Sequence, residues 1–301
     1  MSVSPSIHVS VMPEETLEWL APQAGQTVFD GTLGGGGHTR LLAERVGTTG
    51  RVVSGDQDPV AIERARHELA SLPVTLVQAN FCELEHIAGE AGVEKFDGAL
   101  LDLGLSSDQL ADRERGFSYE ADGELDLRFN PDEGEPAWRM LEHLSAEDIA
   151  DIIYHYGEER FSRRIARRIV ERRRESPVRT AAELAELVRR CVPRSRGHQI
   201  DPATRTFQAL RIAVNQELKS LEIALRDLPH WIRPGGRVVI ISFHSLEDRL
   251  VKQAFRDDAR YTVLTKKPLR PSDAEAARNP RSRSAKLRAA MITDDANLNT
   301  R

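Results

Sequence analysis

The stretch from Val28 to His38 reads VFDGTLGGGGH. An apolar run ends on Asp30, four consecutive glycines follow at Gly34–Gly37, and a helical pattern starts at His38. That order predicts a strand, a tight turn and a helix start. Glycines permit positive φ and let a ligand approach the backbone closely. The first N–H groups of the following helix have no partner within it and face the turn. Open α/β sheets hold nucleotide-like ligands in such turns. The bland alternative is a flexible glycine loop, and the sequence around the turn argues against it.

Two further apolar runs end on acids in the same way. Arg51–Asp56 predicts a second strand, and Asp56 lies about 20 residues beyond the glycines, where such folds place the carboxylate that binds ribose hydroxyls. Asp58-Pro59 reads as the cap of the next helix, Val60 to Ala70. Pro73–Ala79 predicts a third strand, and Phe81 just beyond it offers an apolar face to an adenine ring or, equally, to the core. Phe96–Gly104 predicts a fourth strand with Asp102 near its end. Asp30, Asp56 and Asp102 therefore come to one edge of a parallel sheet, the edge at which ligands bind.

The fifth strand, Pro234–Ser242, arrives far later than a normal crossover allows, so something is inserted. The inserted sequence is helical and charged. Ser145 and Thr180 open helices as N-caps, and Glu159 to Arg174 forms another helix. The apolar stripe Phe207, Leu210, Val214, Leu218, Leu221, Leu225 predicts one crossover helix returning to the sheet. The expected organisation is residues 1–106 and 206–301 forming the sheet domain, with a basic tail, and 107–205 as an inserted helical subdomain. Residues 1–12 read as polar and loose, followed by a short helix from Pro13 to Leu20.

The formal net charge is −5, so any nucleic-acid contact must come from local patches. Two patches stand out. One is Arg160, Arg163, Arg164, Arg167, Arg168, Arg172, Arg173 and Arg174. The other is Lys266, Lys267, Arg270, Arg278, Arg281, Arg283, Lys286 and Arg288. Guanidinium forks match phosphate geometry, although a solvated helix face is the alternative for any single arginine. Cys82 and Cys191 are far apart with no C-x-x-C, which argues against a disulfide framework or a cysteine metal site, and no metal is expected. No stretch reaches the length of a membrane span, so a cytoplasmic enzyme with no membrane partner is expected.

The glycines lack the G-x-G-x-x-G spacing of nicotinamide and flavin sites, and no G-K-[ST] follows. S-adenosylmethionine has a ribose diol, an adenine and an amino-acid end but no pyrophosphate. A glycine turn, Asp56 and an acid on strand four suit those parts, which favours a methyltransferase over a dehydrogenase.

Longer blocks narrow the reading. Asp30–His38, Asp56-Gln57-Asp58-Pro59, Leu100–Leu110, Glu114–Ser118, Pro202–Arg211, Ile241–Arg249 and Arg283–Arg288 together resemble the bacterial small-subunit (16S) ribosomal RNA cytosine-N4 methyltransferase family (RsmH/MraW) over nearly the whole chain. The resemblance implies a Rossmann-like class I S-adenosylmethionine-dependent methyltransferase sheet with an inserted helical subdomain. It implies methyl transfer from S-adenosyl-L-methionine to the exocyclic N4 of a cytidine in the decoding region, with the small ribosomal subunit as partner. Cofactor contacts carry over onto Gly36, Gly37, His38, Asp56, Phe81, Asp102 and Gln109. Ser10, in the run from His8 to Met12, and Asp201 stand where the family pattern leads one to expect proline and histidine. Neither is a cofactor position, whereas Asp201 bears on substrate fit. Cytosine N4 is a poor nucleophile and needs a hydrogen-bond acceptor beside it. Asp102, Ser106 and Ser107 at the strand-four end, and His244 after strand five, are the candidates, His244 being equally readable as a loop-bonding histidine. The Asp/Asn-Pro-Pro-aromatic block of many amino-methyltransferases is absent. A non-catalytic RNA-binding assembly factor that retains a cofactor pocket is the rival reading, and monomer and homodimer both remain open.

Overall fold

The computed structural model describes residues 9–119, 122–193 and 201–293; His8 and the residues beyond 293 lie outside them. The chain divides into two compact units. The first holds Met1–Asp108 with Leu218–Arg301, and the second holds Gln109–Glu217.

The first unit begins with α1 (Pro13–Leu20), β1 (Thr27–Asp30), α2 (Gly37–Val46), β2 (Arg51–Asp56), α3 (Pro59–Glu68), β3 (Val74–Gln78), α4 (Leu84–Ala91), β4 (Phe96–Asp102) and the short α5 (Ser107–Ala111), within which the second unit starts. The second unit contains α6 (Ala137–His143), α7 (Ala146–Gly157), α8 (Ser162–Arg172), α9 (Ala181–Cys191) and α10 (Ala203–Asn215). The chain then resumes the first unit through α11 (Glu217–Trp231), β5 (Ile232–Ser242), α12 (Ser245–Asp257), β6 (Tyr261–Val263), α13 (Asp273–Arg278) and β7 (Lys286–Ile292).

The strand order is β3-β2-β1-β4-β5-β7-β6. The first five strands are parallel, and β7 runs antiparallel between β5 and β6. Alternate residues of the central strands go to opposite faces, as the pleat requires. Phe29, Ala99, Leu101, Val238 and Ile240 pack on one face with Ile87, Leu221, Leu225 and Val251. Val28, Leu100, Val239 and Ile241 pack on the other with Leu20, Leu42 and Val46. Both faces are thus covered by helices, which is why the central strands are nearly continuous apolar runs. The order reverses at β1, which pairs with β2 on one side and β4 on the other, so a topological switch point lies at its carboxyl end.

Four expectations are corrected. The stripe from Phe207 to Leu225 is two helices, because Gln216 takes φ 49° between α10 and α11 and ends the first. The second unit therefore extends past 205 to Glu217 and includes α10. Residues 9–12 are not loose: Val11 and Met12 are buried against α2, and the Met12 N–H donates to Glu275 Oε1 on α13 at 2.7 Å. Asn279 Nδ2 also donates to the Val9 carbonyl (3.3 Å). The second basic patch is partly internal, since Lys286 and Arg288 lie on β7 and both pair with Asp248, at 3.2 and 2.7 Å.

In the second unit, local capping follows the sequence. Ser145 and Thr180 each accept the N3 backbone N–H, and Asp148 and Glu183 return the bond, closing capping boxes on α7 and α9. Asp201 accepts the Ala203 N–H at the start of α10 (2.8 Å) and takes Arg189 through Nε and Nη2 (2.9 and 2.7 Å). Replacing Thr180 by Ala removes one of these caps, and about 1 kcal/mol of stability is expected to go with it. Denaturant unfolding checks this, with Thr180→Ser, which keeps a capping hydroxyl, expected to retain most of the stability.

Candidate functional site

The three strand-end acids are not equivalent, and the register says why. Asp30 pairs with Ser54 and Leu100, so Asp56 and Asp102 lie two residues further along their strands. Asp30 is accordingly fully buried. Its carboxylate accepts the Thr32 N–H (3.1 Å) and the Thr39 hydroxyl (2.7 Å), and Thr39 also meets the Ser54 hydroxyl at 2.9 Å. Burial pushes the Asp30 carboxyl above the ordinary carboxylate range, against those hydrogen bonds and the neighbouring His38. Asp30 shapes the turn from below.

The glycine turn is tied to both neighbouring strands. Gly31 N–H donates to the Leu100 carbonyl and Leu33 N–H to the Gly55 carbonyl, both at 3.0 Å. Thr32 Oγ1 accepts the Asp102 N–H at 2.6 Å. Gly34 N–H donates to Asp56 Oδ2 at 2.9 Å, and Asp58 N–H donates to Oδ1 at the same distance. Gly34 and Gly36 take φ of 50° and 76°, which L side chains rarely adopt. Gly37 lies under Ser10, whose hydroxyl would have to rotate away from a Cβ placed there. Gly36 ends the turn as the N-cap of α2, placing Gly37 and His38 at its first positions.

Asp56 is pushed up to about 6 because burial opposes its charge, only partly offset by the Asp58 and Gly34 N–H groups. Two backbone donors leave lone pairs on both oxygens, so the carboxylate can still accept two hydroxyls. Across the turn, His38 is buried, with Nε2 3.5 Å from Asp102 Oδ2. Burial pulls the His38 imidazole down, but Asp102, Asp30 and a hydrogen bond with the Val11 backbone outweigh it and hold it above the usual histidine range. His38 Nε2 and Asp102 Oδ1 are buried and have no hydrogen-bond partner among the described residues. Buried polar atoms are almost always paired, so the His38–Asp102 pair has hydrogen-bonding capacity left that a polar ligand could use. The arrangement can hold a zwitterionic end at His38 and Asp102 and a vicinal diol at Asp56.

The other expected residues divide. Phe81 is half-buried just after β3, its Cβ 2.8 Å from where a Cβ on Gly31 would lie, so it flanks the start of the turn. Ser106 is buried, with its Cβ 3.5 Å from a Cβ placed on Gly34. Ser107 accepts from Arg281 Nη1 (2.6 Å), and its neighbour Asp108 pairs with Arg64 (2.8 Å). Gln109 is buried on α5, the first residue of the second unit. His244 caps α12: Nδ1 accepts the Glu247 N–H (3.4 Å) and Nε2 lies 3.1 Å from Glu247 Oε1. Its Nδ1 serves the loop, while Nε2, like that of His38, is buried with no hydrogen-bond partner among the described residues, so both readings of His244 stand. Thr32, Thr39 and Ser54 organise the turn without having been expected, and Ser10 seals Gly37. Their residue types are ordinary for loops and strands, so only the hydrogen-bond partners reveal them. Among the described residues no helix is long and apolar enough to cross a membrane.

An Ala at Gly31 would bring its Cβ within 2.5 Å of Leu101 Cδ2 and 2.9 Å of Phe29 Cζ, both on fully buried side chains. Gly31→Ala is expected to destabilise by roughly 1–3 kcal/mol. Gly89→Ala on α4, where a Cβ meets open space, is expected to be neutral or stabilising, and thermal unfolding of the pair reads the difference.

The sequence profile of the MraW methylase family matches residues 5–293. A Rhodopirellula baltica protein named ribosomal RNA small subunit methyltransferase H is 54% identical over 300 residues, covering 96% of this chain and 92% of its own. Proteins of the same name in Deinococcus deserti and a Cyanothece species are 52% and 48% identical, each covering at least 94% of this chain and 93% of their own.

Proposed function

Since the chain belongs to the MraW methylase family, we propose that it methylates RNA of the small ribosomal subunit with S-adenosylmethionine, the acceptor being the exocyclic N4 of a cytidine in the decoding region. The observation that carries the reading is the switch-point site, whose orphaned His38 and Asp102 atoms and diol-accepting Asp56 fit this cofactor's two polar ends. The cofactor supplies an electrophilic methyl group on a sulfonium. Asp56 takes the ribose hydroxyls. His38 and Asp102 take the carboxylate and ammonium. Gly37 would offer its backbone N–H at the start of α2 beside Gly36, Phe81 would cover the adenine, and Gln109 would complete the set.

The acceptor amine is delocalised into its ring and must be held with a lone pair free. Asp102 and Ser106 stand at the strand-four end, where a hydrogen-bond acceptor can orient the amine and receive its proton. His244 caps α12 through Nδ1 and keeps a buried Nε2 without a hydrogen-bond partner among the described residues, so it is the second candidate. The cytidine must be unstacked to enter such a site.

Incubation with labelled S-adenosylmethionine and small subunits from a strain lacking the enzyme is expected to label one cytosine at N4. Absence of label on RNA overturns the reading, and label at C5 overturns the N4 assignment.

Asp56 supplies a pH test whose two halves run oppositely. Its folded value of about 6 lies above the ordinary 3.8. The contribution of Asp56 to the stability of the ligand-free protein therefore rises as pH falls from about 6 toward 3.8, because the buried charge is removed. Donor binding needs the carboxylate, so affinity is expected to fall as pH drops through the same value. Asp56→Asn should lose that pH step, and Asp56→Ala should weaken donor binding by tenfold or more, about 1.4 kcal/mol, while RNA affinity is kept. Calorimetric titration with S-adenosylhomocysteine measures both, and equal loss of RNA and donor binding would refute the assignment.

A further inference from the structure

The basic run on and around α8 is not one surface, because its arginines have different partners. Arg168 pairs with Glu171 at 3.1 Å and Arg172 with Glu183 at 2.8 Å. Arg173 donates to the carbonyls of Leu141 and Leu144, at 3.1 and 2.7 Å. Arg160 stacks over the Phe161 ring at 4.8 Å. Arg163, Arg164 and Arg167 are exposed and have no ion pair or hydrogen bond among the described residues.

Helix geometry gathers these three. Ser162, Ile165, Ala166 and Ile169 form the buried face of α8. At 100° per residue, positions 163, 164 and 167 lie together on the opposite face, one turn deep. Their position works against the helix. Arg163 and Arg164 occupy its first turn, where the macrodipole disfavours cations, and no acid stands in that turn to offset them. Glu159, the carboxylate just before, is buried and accepts the Phe161 N–H (2.8 Å). Three adjacent uncompensated guanidiniums on a chain of net charge −5 do not serve the fold. They suit a repeating anion, since guanidinium forks match phosphate oxygens.

We propose that Arg163, Arg164 and Arg167 form the ridge of the second unit that grips the phosphate backbone of the substrate RNA, and that Arg168, Arg172 and Arg173 do not take part. The proposal rests on the RNA-methyltransferase reading for the identity of the polyanion. The ridge reads no bases, so its contribution is electrostatic and salt-dependent.

The test compares two triple variants of equal charge. One is Arg163→Ala, Arg164→Ala and Arg167→Ala. The other is Arg226→Ala, Arg233→Ala and Arg256→Ala, whose arginines are each paired with an aspartate, Asp227, Asp97 and Asp257. Binding of a fluorescent RNA carrying the decoding region is followed by anisotropy across a salt series. Each lost phosphate contact should lower the slope of log affinity against log salt by about 0.7 for single strands, so roughly 2 for the α8 triple. Affinity at a fixed moderate salt is expected to fall at least tenfold for that variant and to stay within twofold for the control. Unchanged helical circular dichroism and an unchanged thermal midpoint show that the second unit is intact. An unchanged slope in the α8 triple, or an equal fall in the control, overturns the proposal. Displacement of the RNA by polyglutamate with the same arginine dependence would point to an acidic protein partner and also overturn it. If the wild type binds this RNA yet methylates nothing, the enzymatic reading fails, while the slopes still decide the ridge.

Discussion

The glycine turn is suspended between two strand ends by hydrogen bonds of its own backbone and of Thr32. On one side Thr32 receives the Asp102 N–H; on the other Gly34 donates to Asp56. Neither bond would exist without the two-residue offset in register that leaves Asp30 at the level of Ser54 and Leu100 and carries β2 and β4 past it. The offset makes room for the turn, buries Asp30 as its support and brings Asp56 and Asp102 to its two flanks. Left-handed φ at Gly34 and Gly36 then bends the chain into α2. Every group assigned to the cofactor's polar ends takes its place from this pairing.

A buried carboxylate with lone pairs left open carries a stability penalty. Asp56 and Asp30 are each raised by burial, and His38 and Asp102 keep buried polar atoms unpaired. Such groups are costly until something satisfies them. The surrounding sheet, apolar on both faces, supplies the stability that tolerates them, and the site is preorganised as a result.

Much of this was legible beforehand because it is local. An apolar run ending on an acid, a glycine run and a helical period announce β1, the turn and α2 without long-range information, and Ser145 and Thr180 announce their helices by capping chemistry. What escaped depends on distant partners. The stripe from Phe207 to Leu225 keeps helical spacing straight through Gln216, so nothing in the pattern marks the break. Lys286 and Arg288 look like surface cations until β7 brings them to Asp248, 38 and 40 residues away in sequence. Asp30 and Asp56 look alike in sequence, and only the strand register separates the supporting acid from the one that can accept a diol. For the same reason the basic run around α8 could be seen in the sequence, while its division into paired and unpaired arginines could not.

The hydrogen bond from Met12 to Glu275 spans 263 residues, and Val11, beside Met12, holds His38 through its backbone. One side of the glycine turn is therefore fastened by a helix distant in sequence. Contacts of such long separation close late, after local helices and neighbouring strands have formed. The turn, built from local sequence, is thus covered by a segment whose own anchor lies far away in the chain.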